Sequence, residues 1–344
     1  MVETVLVSGA SGFVAASIIK ELLTNGYAVR GTVRSESSAN KVREAHAEYA
    51  KGNLSLVIVK DIATPGAFSE AVKGVDGIFH VASPFILDAT DFDAQLFEPA
   101  LQGTLGILKA AQKHNPNVKR VVITSSFAAV VDFSSGLNPG KTYTEADWNP
   151  MTREEAKAAG AVAAYLVSKV LAEKAAFEFV EKEKPNFTVA TLCPPMVYGP
   201  LAQDPDSMDR LNESTEDFYR LMNGSLVETP GTSFWAYADV RDLALAHRLA
   251  YEKPEAANQR FLITNGGFSY QLFVDILHDR LPELRDKLPK KANPVNEAFP
   301  GKVYRLDNSK ATNVLGMSWR PVEDTVLDTA KYLQGMEKKH GVAK

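Results

Sequence analysis

The chain has 344 residues, of which 45% are hydrophobic and 23% are charged, a composition typical of a globular protein with a full core. Its net charge of −4 provides no basic surface for nucleic acid. The one cysteine, Cys193, excludes an internal disulfide, and no uncharged apolar run is long enough to cross a membrane. Since no signal-peptide pattern precedes the first strand, we expect a cytoplasmic protein without nucleic-acid or membrane partners.

The first 33 residues predict a strand (5–8), a helix that ends at Gly26 and a second strand (27–33). A glycine-rich turn joins the first strand to the helix. There Gly9 permits a tight bend, and Gly12 lets a pyrophosphate reach the backbone at the helix N-terminus. The pattern therefore predicts dinucleotide binding. The predicted cofactor contacts in this turn are Gly9, Ser11, Gly12, Phe13 and Val14.

The end of the second strand indicates which dinucleotide is bound. NAD sites place Asp or Glu there to bond the ribose hydroxyls, whereas this chain has Arg34 and Ser35. A guanidinium suits a 2′-phosphate through charge-assisted hydrogen bonds, and the Ser35 hydroxyl can add another bond. The alternative is that Arg34 is only a solvated residue at a strand end. We predict NADPH/NADP+ as the cofactor.

Strand and helix patterns continue to alternate along the chain. Further strands are predicted at 54–59, 77–81, 118–124 and 187–192, and helices at 92–114 and 153–183. This order predicts an α/β fold, a Rossmann-like doubly wound parallel sheet that binds ligands at the carboxyl ends of its strands. His80, inside an apolar run, is more simply a core histidine than a catalyst. Cofactor contacts predicted near these strand ends are Asp61, Ile62, Ala82, Ser83 and Thr124.

After Pro200 the alternation gives way to a region that we predict to be mainly helical. We assign residues 1–199 to an NADP-binding domain to which 233–264 returns, and 200–232 and 265–344 to a smaller substrate-binding lobe. Predicted elements here are strands at 234–237 and 259–264, and helices at 213–223, from 239, and at 269–280, 309–316 and 322–339.

Tyr165 and Lys169 stand four residues apart on the predicted helix 153–183, so they share one face. A free tyrosine has a pKa near 10, and a neighbouring positive charge lowers it by stabilising the phenolate. Taken alone, the two residues are also compatible with an ordinary amphipathic helix pair. The glycine turn and Ser126, taken together with this pair, favour a catalytic site over that alternative.

The glycine turn, Ser126 after the fifth strand and Tyr165-x-x-x-Lys169 together resemble the extended short-chain dehydrogenase/reductases. More narrowly, the chain is similar to their dihydroflavonol-reductase branch, especially the fungal NADPH-dependent methylglyoxal and aldehyde/ketone reductases. The similarity extends over nearly the whole length. Its motifs are 7–13, 33–35, 80–85, 124–126, 148–150, 165–169 and 237–242.

The resemblance implies an NADPH-dependent carbonyl reductase that acts on aldehydes, ketones, α-dicarbonyls or keto esters, as a monomer or homodimer. It implies that Tyr165 donates a proton to the carbonyl oxygen, that Ser126 hydrogen-bonds this oxygen, and that Lys169 binds the nicotinamide ribose and lowers the pKa of Tyr165. The same resemblance implies that the cofactor is approached by Pro194, Val197 and Ser214.

An apolar substrate pocket is predicted beside these groups, which favours carbonyls with alkyl or aryl substituents over sugars. Alternatively, several of its residues fill the core between the lobes. No metal site is predicted. The predicted lining residues are Phe85, Phe127, Phe133, Val162, Met196, Tyr198 and Trp235.

Two other functions are compatible with the fold. A nucleotide-sugar epimerase or dehydratase would favour an acidic residue where this chain has Arg34. A redox sensor that binds NADP(H) without turnover would favour loss of Tyr165 or Lys169, and both are present.

Overall fold

The computed structural model describes residues 2–84, 86 and 88–342. Its strands are β1 (Thr4–Val7), β2 (Ala28–Val33), β3 (Leu54–Ile58), β4 (Gly77–His80), β5 (Arg120–Thr124), β6 (Thr142–Tyr143), β7 (Thr188–Cys193), β8 (Met196–Tyr198), β9 (Ala236–Asp239), β10 (Gln259–Leu262), β11 (Gly266–Gly267) and β12 (Arg305–Leu306). Its α-helices are α1 (Phe13–Thr24), α2 (Glu36–Ala45), α3 (Ala47–Ala50), α4 (Glu98–His114), α5 (Arg153–Ala159), α6 (Ala161–Glu183), α7 (Glu213–Met222), α8 (Val240–Glu252), α9 (Tyr270–Arg280) and α10 (Val322–His340). Within these described ranges, no helix is both long and apolar enough to cross a membrane.

A seven-stranded parallel sheet forms the centre of the protein, in the order β3-β2-β1-β4-β5-β7-β10. The strand order reverses direction between β1 and β4, which is where open α/β sheets leave a crevice for ligands. The predicted fold class, a doubly wound parallel sheet with a smaller C-terminal region, is confirmed.

Alternation of side chains along β1 supplies both faces of this sheet. Val5 and Val7 pack into one core with Ile18 and Leu22 of α1. Leu6 points the other way and joins a second core that includes residues of α4. Helices therefore cover both faces, and the strand ends remain available for the site.

A smaller lobe packs beside the main sheet around its own apolar core, to which α7, α9 and α10 contribute. A three-stranded sheet, in the order β11-β9-β8, borders that core. Of the segment 233–264 that we expected to return to the main sheet, β10 does so, whereas β9 pairs with β8 and β11. The predicted domain limits themselves stay a proposal.

The predicted helix 153–183 is wrong in one respect, because the structure divides it into α5 and α6. Gly160 lies between them with a φ of 105°, a conformation that side-chain-bearing residues rarely adopt. Two other predicted helices, 92–114 and 309–316, contain π-helical turns at Asp93–Phe97 and Ala311–Leu315. Helices α2 and α3 have no counterpart among the predicted elements.

We expect Gly77→Ala to destabilise the fold by about 1–3 kcal/mol, because the new methyl group would overpack the core. A Cβ at Gly77 would lie 2.7 Å from Cζ of Tyr251, whose ring cannot retreat freely since its hydroxyl donates to Glu3 at 3.0 Å. Thermal unfolding followed by circular dichroism measures the effect. The control is Gly335→Ala in α10, where no atom lies within 4 Å; an equal loss in both variants would contradict the overpacking argument.

Candidate active site

The glycine turn after β1 approaches the end of β4 closely. Gly9 has a φ of 68°, and a Cβ there would lie 3.1 Å from the Cα of Ala82. The Ser8 hydroxyl accepts from the backbone N–H groups of Val81 and Ala82, both at 3.0 Å, and donates to Nδ1 of His80 at 3.0 Å. Burial lowers the pKa of His80 to about 3, so the imidazole is neutral. Since the Ser8 oxygen already accepts two N–H groups, its own proton is donated and Nδ1 of His80 accepts it. His80 is a core histidine that holds the turn in place.

The N-terminus of α1 offers unfilled hydrogen-bond donors to a ligand. Its first residue is preceded by Gly12, which has no side chain to cap the helix, and its first turn carries no acidic residue. Ser11 and Gly12 are exposed and line a cavity of about 340 Å³ that Phe13 also borders. Val14 lies deeper and packs against the core. These groups fit a pyrophosphate.

The end of β2 carries a cation and two hydroxyl groups. Within the described ranges, the exposed guanidinium of Arg34 has no hydrogen-bond or salt-bridge partner. Ser35 caps α2 by accepting from the backbone N–H of Ser38 at 3.2 Å, and the two serine hydroxyls are 3.1 Å apart. Glu36 is paired with Arg43 at 2.7 Å. These groups fit a 2′-phosphate.

Asp61 and Ile62 lie just beyond β3. The Asp61 carboxylate accepts from the backbone N–H of Ala63 at 2.9 Å and from the Thr64 hydroxyl at 3.3 Å, so it also stabilises its own turn. Ile62 packs against Gly103 of α4. A Cβ at Gly103 would lie 3.0 Å from Cδ1 of Ile62. The turn contacts of Asp61 and the packing of Ile62 on α4 were not predicted from the sequence.

Four predicted residues converge at the carboxyl ends of the central strands. The Ser126 hydroxyl, just after β5, hydrogen-bonds the Tyr165 hydroxyl. Nζ of Lys169 lies 5.3 Å from the ring centroid of Tyr165 and donates to the Ser83 hydroxyl, after β4, at 2.6 Å. The site thus joins α6 to two neighbouring strand ends beside the glycine turn.

Burial controls the protonation of the two central groups. It raises the pKa of Tyr165 above that of free tyrosine, and although the hydrogen bond from Ser126 opposes this, the negative charge of Glu213 adds to it. Burial lowers the pKa of Lys169 to about 8. Without a ligand, burial outweighs any lowering of the pKa of Tyr165, so the phenol is neutral. The lowering that we expect from Lys169 in the cofactor complex stays a prediction.

A buried carboxylate that sequence reasoning missed supports this site from behind. Glu173 accepts from the hydroxyls of Ser125 at 2.8 Å and Thr191 at 2.5 Å, and pairs with Arg260 at 2.8 Å. The spacing of four residues from Lys169 places Glu173 on the same side of α6, which is the signal that could have identified it. Ser125 thus supports the site through its hydrogen bond to Glu173, whereas its neighbour Ser126 bonds Tyr165.

Thr124, Pro194, Val197 and Ser214 have partners of their own. The Thr124 hydroxyl donates to Nε2 of His247 at 2.7 Å. That direction follows because Nδ1 of the neutral His247 donates to a backbone carbonyl. Pro194 is buried and its carbonyl accepts from a backbone N–H at 2.8 Å. Val197 packs on the main core, and Ser214 is hydrogen-bonded by an asparagine amide at 3.0 Å.

The predicted pocket residues have different surroundings. Three have at most 1% of their surface exposed and lie in apolar cores, which leaves them no surface for a substrate in this conformation: Phe127, Tyr198 and Trp235. Phe133 and Met196 are half-buried, and Val162 is 54% exposed. Phe85 lies outside the described residues.

Comparisons with known proteins show the family of this chain. The model of the NAD dependent epimerase/dehydratase family matches residues 5–264. A ketoreductase of Aspergillus niger is 37% identical, covering 95% of this chain and 96% of that protein. The NADPH-dependent methylglyoxal reductase of Saccharomyces cerevisiae is 36% identical, and the match covers 97% of this chain and 99% of that protein.

Among solved structures, the yeast methylglyoxal/isovaleraldehyde reductase in complex with NADPH superimposes with a TM-score of 0.88 and 35% identity. The alignment covers 99% of this chain and all of that one. The matches to these relatives extend over the glycine turn, the central strand ends and the C-terminal lobe. The chain therefore belongs to the NAD dependent epimerase/dehydratase family, within which it is similar to fungal carbonyl reductases.

Proposed function

We propose that the protein is an NADPH-dependent carbonyl reductase. The observation that carries the proposal is the convergence of Ser126, Tyr165 and Lys169 beside the glycine turn. The named activities of its relatives, NADPH-dependent methylglyoxal reductase and ketoreductase, support it. Consumption of NADPH across aldehydes, α-dicarbonyls, aryl and alkyl ketones and keto esters tests it, and no turnover with any of them would refute it.

The chain would hold NADPH along the carboxyl edge of the sheet. The N-terminus of α1 binds the pyrophosphate, and Arg34 binds the 2′-phosphate with help from Ser35. A free cation at the end of β2, where an epimerase would favour a carboxylate for NAD, favours NADPH. When bound, this cofactor supplies the hydride for the carbonyl carbon.

Tyr165 supplies the proton that the carbonyl oxygen needs to become an alcohol. Its raised pKa keeps the phenol protonated, which is the form that a reductase requires. Ser126 hydrogen-bonds the same oxygen and stabilises the negative charge that develops on it. Lys169, already bonded to Ser83, binds the nicotinamide ribose and stabilises the phenolate after proton transfer.

The proposed substrates are aldehydes and ketones, among them methylglyoxal-like α-dicarbonyls, aryl or alkyl ketones and keto esters. Phe133, Met196 and Val162 offer accessible apolar surface for their substituents. We include Phe133 because its ring is fixed edge-on against Phe234, with centroids 5.0 Å apart, and so presents a stable wall.

We expect Tyr165→Phe to lower kcat by about 10²–10⁴-fold, because the proton donor is lost while the ring is kept. NADPH binding, measured by fluorescence titration, should change little. The matched control is Tyr49→Phe in α3, since the ring of Tyr49 lies beneath Lys20 of α1 and away from the site. Wild-type turnover by Tyr165→Phe would contradict the assignment of the proton donor.

We expect Arg34→Gln to weaken NADPH binding by about tenfold or more, because a charge-assisted bond to phosphate contributes roughly 1.5–3 kcal/mol. NADH has no 2′-phosphate, so its dissociation constant in the same variant provides the control and should stay within about twofold, since that bond is absent from it. An unchanged ratio of the two constants would rule out this role for Arg34.

We expect NADPH affinity to fall as the pH rises through about 8, where Lys169 loses its proton. The charged form donates to the ribose and attracts the anionic cofactor, so binding should favour the ammonium and weaken once it is neutral. Fluorescence titrations between pH 7 and pH 9.5 measure this dependence, and Lys169→Met should abolish it. A dependence that survives in the variant would assign the proton to another group.

A further inference from the structure

A segment from the C-terminal region closes the outer side of the phosphate turn. The segment 201–212 lies between β8 and α7, and its residues 201–206 and 210–212 border the same cavity of about 340 Å³ as Gly12 and Phe13. The cavity therefore has one wall from the first turn of α1 and another from a distant part of the chain.

The glycine turn by itself does not neutralise a pyrophosphate. Residues 9–14 contain no Lys or Arg, so the positive charge that they offer is that of the helix dipole, equivalent to about half a charge, beside the neutral donors of the backbone and Ser11. A pyrophosphate diester carries a negative charge on each phosphate. A cation from outside the turn would complete its neutralisation.

Two cations line the cavity, and they differ in their partners. Lys41 of α2 forms a salt bridge with Asp206 of the segment, across 165 residues of sequence. Within the described residues, the guanidinium of Arg210 has no hydrogen-bond or salt-bridge partner. Lys41 is thus occupied, and Arg210 is available to an anion.

The carboxylates that border the cavity are already neutralised. Asp206 is held by Lys41, and Asp204 accepts from the Tyr332 hydroxyl at 2.9 Å and pairs with Lys339 of α10 at 2.5 Å. These contacts tie the segment to α2 on one side and to α10 on the other. They fix the backbone that carries Arg210 and leave its charge uncompensated.

We propose that Arg210 binds the pyrophosphate of the dinucleotide, opposite the N-terminus of α1. The inference rests on the proposed function for the identity of its ligand. Ser38 and Lys41 of α2 also border this cavity, but Arg34 does not, whereas Gly12 and Phe13 of the glycine turn do. Pyrophosphate is therefore favoured over the 2′-phosphate as the ligand of Arg210. The assignment adds a binding residue from the linking segment to a site otherwise built from the first strands.

The test compares two partial ligands with wild-type protein and Arg210→Gln. ADP-ribose contains the pyrophosphate without a 2′-phosphate, and 2′-AMP contains a 2′-phosphate without the pyrophosphate. We expect Arg210→Gln to weaken ADP-ribose, NADH and NADPH by similar factors of about 10-fold to 100-fold, and to leave 2′-AMP within about twofold. Isothermal titration calorimetry measures these dissociation constants without turnover.

Two further variants separate charge from structure. Arg305→Gln removes an exposed arginine outside the cavity and should leave all four constants unchanged. Arg210→Lys keeps the charge and should recover most of the ADP-ribose affinity. If Arg210→Lys binds as weakly as Arg210→Gln, or if only NADPH and 2′-AMP are weakened, the assignment is overturned. Failure of the wild-type chain to bind NADPH would refute the proposed function and this inference together.

Discussion

The buried ion pair between Glu173 and Arg260 holds α6, the helix that carries Tyr165 and Lys169, to the sheet. Glu173 lies on α6 with 1% of its surface exposed, and its oxygens bond residues that follow or belong to β5, β7 and β10. Arg260 stacks on Trp148 with its guanidinium carbon 3.5 Å from the ring centroid. The buried carboxylate of Glu173 is tolerated because it accepts hydrogen bonds and pairs with Arg260. Loss of Arg260 would leave an unpaired buried charge, which destabilises the fold. The position of Tyr165 relative to Ser126 depends on this link.

Burial and hydrogen bonding determine the protonation states of Tyr165 and Lys169. Desolvation keeps Tyr165 as a neutral phenol and makes the ammonium of Lys169 easier to deprotonate, so both shifts arise from the same shortage of water. Ser83 supplies the bond that holds the ammonium in the absence of a ligand. In the proposed reaction, proton donation by Tyr165 and ribose binding by Lys169 would be coupled, because the two groups share this buried space.

The sheet, the glycine turn and the pairing of Tyr165 with Lys169 could be predicted from the sequence because each depends on short-range patterns, whereas Ser126 was identified through the family resemblance. The partners of Glu173 could not, since Ser125 and Arg260 stand 48 and 87 residues away along the chain. Phe127 follows a residue with extended backbone, φ −158° and ψ 152° at Ser126, so neighbouring side chains point in opposite directions. Ser126 faces the site and Phe127 faces the core, a consequence of local geometry that composition does not reveal.

The return of β10 to the edge of the main sheet makes the two parts of the molecule interleaved rather than consecutive. Helix α8 reinforces the arrangement, because Arg248 pairs with Glu21 of α1 at 2.8 Å and Tyr251 bonds Glu3. A fragment cut after residue 199 would expose the flank of β7 and one face of α1. Exchanging the smaller lobe with that of a relative consequently means replacing an internal segment and a C-terminal segment together, and joining halves end to end would not reproduce the fold.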